Sequence, residues 1–321
     1  MSARGSPKMI DHHHADAHAG HGHSQSSSAL TLISLAHGIN HAQAALMPLV
    51  YPLVLRELGF GYSQLGIMMG VASAVGGTLQ LVAGVLGRVM RRHLLLGIGN
   101  AFVGLSFCLI GFAHSFAQFF CWTVMSRVGG AAQHPVGSSL LSHHFEHKRL
   151  GLALATHFTA GNIGTAMIPM FAAILIGLWG WRVTTILFAT PAVFVGLAQC
   201  FWLREPREEN RTEVEAGESL WQDSAKTIAN LRWILAAVVL AAGGSGHGIV
   251  TTFLPLYLSH SLKMSGTSVG LIFTALMIGG LVGPLLGGRL VDRFQPYGVI
   301  LAGYGLAALA TLIFSWIGSN F

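Results

Sequence analysis

Nine long, almost wholly apolar stretches dominate this chain, and they restrict it more than any other feature. They cover residues 30–55, 62–87, 94–113, 117–141, 150–178, 182–203, 233–258, 268–288 and 297–318. An α-helix needs about 20 such residues to cross the hydrocarbon core of a bilayer. A β-barrel would show shorter segments of alternating polarity, and these stretches do not alternate. The expected fold is an all-α membrane protein, a polytopic helical bundle. Only 9% of the 321 residues are charged, where a soluble domain carries about 25%. So few charges cannot cover a water-facing surface, which excludes an ordinary soluble enzyme and a nucleic-acid-binding protein. The 41 glycines suit close helix packing in lipid. Cys108, Cys121 and Cys200 all lie in apolar runs and form neither a disulfide framework nor a zinc site of usual spacing. The first stretch is too long for a cleaved signal peptide, carries Pro48 and Pro52, and has no small-residue cleavage site.

Basic residues orient such a bundle, because cytoplasmic loops carry the excess of Lys and Arg. With the N-terminus in the cytoplasm, fourteen basic residues fall inside: Arg4, Lys8, Arg88, Arg91, Arg92, Lys148, Arg149, Arg204, Arg207, Arg211, Lys226, Arg232, Arg289 and Arg293. Three fall outside: Arg56, Arg182 and Lys263. The expectation is a multi-pass protein of the cell (inner) membrane with a cytoplasmic N-terminus. Residues 1–29 form a polar tail with six histidines, at 12, 13, 14, 18, 21 and 23. It reads as an unstructured leader or as a loose metal-binding tail. Residues 204–232 hold six glutamates and five basic residues and read as a solvated cytoplasmic linker. The linker divides a six-helix bundle, 30–203, from a three-helix segment, 233–321.

The three-helix segment repeats the start of the six-helix one. A shift of 204 residues places Gly66 on Gly270, Gly76 on Gly280, Gly84 on Gly288, Gly99 on Gly303 and Ser115 on Ser319, with Ser63 on Thr267. Each copy reads as a polar cap, a glycine-spaced helix, a basic turn and another apolar helix. A second half built like the first would have six spans, so three more are expected after Phe321.

Six spans, a charged linker and a repeat of the six resemble the major facilitator superfamily. The loop Gly288-Arg289-Leu290-Val291-Asp292-Arg293 is similar to that superfamily's G-x-x-x-D-R signature. Its first-half counterpart, Gly84-Val85-Leu86-Gly87-Arg88, carries Arg88 where the superfamily has the acid that helps latch the halves together. Within the superfamily, three stretches resemble the fosmidomycin-resistance group of efflux proteins. They are Ser34-Leu35-Ala36-His37-Gly38-Ile39-Asn40-His41, Gly130-Ala131-Ala132-Gln133-His134-Pro135, and Gly161-Asn162-Ile163-Gly164 through Pro169. That group commonly has acidic residues where His41 and Val136 stand, so proton coupling through those carboxylates does not carry over.

Ionisable residues inside a membrane are costly and mark function by default. No Asp or Glu lies within the nine stretches; Glu57 sits at the outer edge of the first. Arg127 is the exception among basic residues, near the middle of the fourth stretch and too deep to reach water easily. It reads as a fixed positive charge in a central cavity, or as an arginine bonded to carbonyls of a neighbouring helix. His134, seven residues on, shares its face, with Gln133 beside it. His37, Asn40 and His41 face roughly one way on the first stretch. These residues line a candidate substrate and ion path, either binding substrate or carrying a proton, or else they make interhelical hydrogen bonds. His247 joins the path from Gly243-Gly244-Ser245-Gly246-His247-Gly248. That run either breaks its helix to expose backbone or packs closely against a neighbour. Gly161, Asn162, Gly164 and Pro169 read as a helix-packing motif, with His157 structural. The tryptophans at 179, 181, 202, 221 and 233 cluster around span ends and the linker, and those at span ends suit the interfacial belt.

The expected function is secondary transport by alternating access. The resemblance implies proton-coupled efflux, by antiport, of a small anionic molecule or drug. Uptake of an organic anion or metabolite is one alternative, and a truncated, non-transporting membrane protein is another. The partners expected are the lipid bilayer, a small-molecule substrate and protons, with no nucleic acid. No phosphate-binding G-x-x-x-x-G-K-[ST] run is present, so ATP is not expected to drive it. No carboxylate pair, nucleophile triad or metal-ligand cluster is legible, so the chain is not expected to be an enzyme or to hold a metal or other cofactor.

Overall fold

The computed structural model describes residues 13–205, 230–291 and 293–318, and the linker between 206 and 229 lies outside them. The described residues are helical, with no strand among them. They form α1 (His13–Leu58), α2 (Tyr62–Val89), α3 (Arg92–Gly111), α4 (Phe116–Gly130), α5 (Gln133–His144), α6 (His147–Trp202), α7 (Leu231–His260), α8 (Gly266–Val291) and α9 (Pro296–Gly318). The helix α1 is continuous from the histidine-rich segment through Pro48 and Pro52.

Two of the expected stretches fold differently from single straight helices. The fourth, 117–141, divides at Ala131-Ala132 into α4 and α5. Pro135 explains the division. Its ring has no N–H to donate and crowds the carbonyl four residues back, which is that of Ala131. The fifth and sixth stretches run into one another as α6, which turns at Gly180, where φ is 76° and ψ is 167°. Only a residue without a Cβ takes that conformation cheaply. The expected repeat also has a counterpart in the helix boundaries. The helices α8 and α9 begin at 266 and 296, 204 residues after α2 and α3 begin at 62 and 92.

Glycines set how close the helices come. A Cβ on Gly164 of α6 would collide with the Gly38 carbonyl of α1. One on Gly129 of α4 would lie 2.7 Å from the Gly99 carbonyl of α3. Such contacts bring backbones together without hydrophobic drive, as helices in lipid require.

The buried apolar residues fall into two clusters rather than one. The first gathers Leu46, Val50, Val54, Phe119 and Trp181, at the end of the bundle where α1 finishes and α6 turns. The second gathers Ile33, Leu96, Val136, Leu140 and Leu203, towards the opposite end. Between them lies a layer of histidines, amides and one arginine, drawn from α1, α3, α4, α5 and α6. Trp181 is 4% exposed and belongs to the first cluster, whereas Trp179 and Trp202 are exposed.

Candidate functional site

The polar layer surrounds a cavity of about 430 Å³. Its wall includes His37, Asn40 and His41 from α1, Gly76 and Gln80 from α2, Arg127 from α4, and Gln133 and His134 from α5. Six of the seven expected path residues therefore meet at one cavity. The seventh, His247, lines a neighbouring cavity of about 410 Å³ between the six-helix bundle and α7–α8. His41, Ala44, Tyr51, Ser73 and Arg127 border both.

Arg127 lies across α2, where Gly76 leaves room for it. A Cβ at Gly76 would sit 3.4 Å from the Arg127 Cβ. Among the described residues no hydrogen bond or ion pair holds its guanidinium. The break between α4 and α5 falls between Arg127 and His134, yet both still face the cavity.

Three of the histidines converge. His37, His41 and His134 each present a ring nitrogen within 4.8 Å of the other two. Ring centroids are 4.5 Å apart for His37 and His41 and 5.2 Å for His37 and His134. His157 stacks on His37 at 4.1 Å and is fully buried, which places it in the cluster although its sequence setting suggests a structural role. Hydrogen bonds fix two of the rings. His37 Nδ1 donates to the His157 carbonyl at 2.9 Å. Thr165 Oγ1 donates its hydrogen to the Gly161 carbonyl at 3.1 Å, so His41 Nδ1 must donate to Thr165 Oγ1, at 3.0 Å. In both rings the lone pair is then left on Nε2.

A ladder of amides supports the cavity wall. Asn40 Nδ2 donates to Asn100 Oδ1 at 2.7 Å and to Gln133 Oε1 at 3.4 Å. Asn100 Nδ2 donates to Gln199 Oε1 at 2.7 Å, and Gln199 Nε2 donates to the Leu32 carbonyl at 3.1 Å. Asn100 and Gln199 are not among the expected path residues. Their signal was present as lone amides in apolar stretches, but only the folded bundle shows that they are partners.

The remaining expected residues lie elsewhere. Gly161 abuts the His37 ring, 2.9 Å from Cε1 to an added Cβ, and Gly164 abuts Gly38. Asn162 borders the second cavity. Pro169 lies within α6, its carbonyl 3.3 Å from a Cβ added at Gly270 of α8. Gly84 faces Pro135, and Arg88 is exposed. Arg293 is exposed and its N–H donates to the Leu290 carbonyl. Asp292 and the surroundings of Gly288 lie outside the described residues. The glycine run at 243–248 corrects one expected alternative, a broken helix: α7 is helical throughout, and Gly243 packs against Tyr304 of α9.

The sequence model of the Major Facilitator Superfamily matches residues 33–320. The chain belongs to that superfamily. It is 24% identical over 311 residues to the "Probable L-galactonate transporter" of Escherichia coli K12, covering 89% of this chain and 68% of that protein. It is 23% identical over 266 residues to the fosmidomycin resistance protein of the same organism, covering 82% and 65%. Among solved structures, a bacterial homologue of the human lysosomal transporter Spinster, inward-facing and occupied, superposes with a TM-score of 0.70 at 18% identity. That match covers 85% of this chain and 63% of the other, so the chain spans about two thirds of the length of the proteins it resembles. The fold is that of a multi-pass helical membrane transporter.

Proposed function

We propose that this superfamily member is a proton-coupled secondary transporter that exports a small anionic molecule by alternating access. The observation that carries the reading is Arg127, a guanidinium on the wall of a cavity between two apolar clusters, with no carboxylate to neutralise it among the described residues. A charge in lipid is expensive, and a substrate anion would offset that cost. The imidazoles beside it can take up and release a proton. The six-helix bundle would rock against the bundle to which α7–α9 belong, opening the polar layer to one side of the membrane and then the other.

The fosmidomycin resistance relative supplies a probe, since fosmidomycin is a small phosphonate anion. Cells expressing the chain are expected to retain less fosmidomycin than cells without it, and Arg127→Ala is expected to abolish the difference while the protein still reaches the membrane. Unchanged efflux kinetics in that variant would contradict the role given to Arg127. Uptake of an organic anion is the second reading, favoured by the L-galactonate relative. Accumulation in intact cells compared with inside-out vesicles separates the two directions.

A further inference from the structure

We propose that His37, His41 and His134 form a binding site for one divalent transition-metal ion of the class that prefers imidazole, such as zinc, nickel or cobalt. The site lies in the transporter's own cavity. Neither the superfamily fold nor the anion path requires it.

Three features point to a metal rather than to hydrogen bonding alone. The first is convergence. Three imidazoles from α1 and α5 bring ring nitrogens within 4.8 Å of one another. Tetrahedral ligands at about 2.1 Å from a zinc ion stand about 3.4 Å apart, so binding draws these nitrogens together by up to about 1.4 Å. The second is the fixed tautomer. A metal-ligating histidine usually donates its other ring N–H to a carbonyl or another oxygen, which orients the ring and makes the ligating nitrogen more basic. His37 does so to the His157 carbonyl and His41 to Thr165 Oγ1, whose own hydrogen is committed to Gly161. The third is an unmet requirement. His37 is 2% exposed, and its Nε2 is buried without a hydrogen-bond partner among the described residues. A buried acceptor left unpaired costs about 1–3 kcal/mol, and a metal ion would satisfy it.

Neutral imidazoles suit zinc, copper, nickel and cobalt better than magnesium or calcium, which take oxygen ligands. Three ligands leave a fourth position open towards the cavity, where His134 is exposed. Arg127 borders the same cavity and repels a bare dication. The ion therefore enters with an anion in that fourth position, and Arg127 and the metal share the anion's charge. The sequence adds a second histidine source. Six histidines between 12 and 23 offer weaker sites from which an ion could be passed on.

The test separates cavity from tail. The full chain, with the six tail histidines changed to alanine, is placed in lipid nanodiscs and titrated with Co2+, whose visible absorption strengthens in a tetrahedral site. One Co2+ per chain is expected, with the tetrahedral band. Adding His134→Ala is expected to remove the band and weaken binding by about tenfold or more. Among the described residues His134 makes no hydrogen bond and is exposed, so this change leaves no bonded partner unsatisfied. Thr165→Val, which deprives His41 of its acceptor, is expected to weaken Co2+ binding by about 10–100-fold; a purely structural histidine cluster would show no such loss. The proposal is overturned if the tail-free chain binds no Co2+, or if His134→Ala binds it undiminished. Binding is read without transport, so that failure would leave the anion-transport reading untouched.

Discussion

A lone amide in a membrane-spanning helix has no water to bond, and Asn100 shows how this chain answers that. It accepts from Asn40 and donates to Gln199, joining α1, α3 and α6 within the polar layer. Asn100→Leu loses both bonds, and such bonds in membranes are worth about 0.6–2 kcal/mol each. The variant is expected to unfold more readily in detergent titrations, since Asn40 keeps only its longer bond to Gln133 and Gln199 keeps only its bond to the Leu32 carbonyl. At the end of the bundle, beyond the expected first span, Glu57 accepts from Trp181 Nε1 at 2.6 Å and from Arg182 at 2.8 and 3.0 Å. The Trp181 bond, and then the Arg182 guanidinium, hold the Glu57 carboxyl below its ordinary value. A carboxylate depressed in the fold adds stability above its unfolded pKa of about 4.3 and loses it as pH falls through the lower folded value. Melting temperatures followed from about pH 6 to pH 3 should therefore fall more steeply for the native chain than for Glu57→Gln. Parallel curves would remove Glu57 from the account.

At the scale of elements, apolar length alone locates the helices, because crossing a bilayer leaves few other options. It does not locate the interruptions. The division of α4 from α5 follows from Pro135, which is visible in the sequence, but a proline in an apolar run can kink a helix or end it. Here it ends one, α4 finishing at Gly130 and α5 beginning at Gln133. The glycine run in α7 errs the other way: its composition allows a break, while contact with Tyr304 accounts for the glycine at 243. Close approach also sets the tolerance of substitutions. Gly164→Val forces its side chain into the α1 backbone at Gly38 and is expected to cost most of the folded protein recovered from membranes. Gly177→Ala, with nothing within 4 Å of the added carbon, is expected to be recovered at native levels. Equal recovery of the two would mean that α1 and α6 are not held by that contact.

At the scale of the whole molecule, the arrangement is a polar layer held between two apolar clusters. The sequence exposes the layer's membership in part. His37, Asn40, His41, Arg127, Gln133 and His134 are identifiable as polar residues at membrane depth, and helical spacing puts those on one helix on one face. It does not expose their partners. That His157 stacks on His37, that Thr165 fixes His41, and that Asn100 completes the ladder all depend on which helix faces which. A single sequence carries that only in the glycines that permit contact. The repeat gives the larger symmetry, with α8 and α9 starting 204 residues after α2 and α3.

The central claim is that this layer is a passage reached in turn from the two sides of the membrane. Ser73 borders both cavities and offers a direct test. In a chain with Cys108, Cys121 and Cys200 replaced by alanine, Ser73→Cys is treated with a membrane-impermeant thiol reagent, applied to right-side-out vesicles and separately to inside-out vesicles. Labelling from both sides, slowed by fosmidomycin, is the predicted result. Labelling from one side only, or from neither, would contradict alternating access.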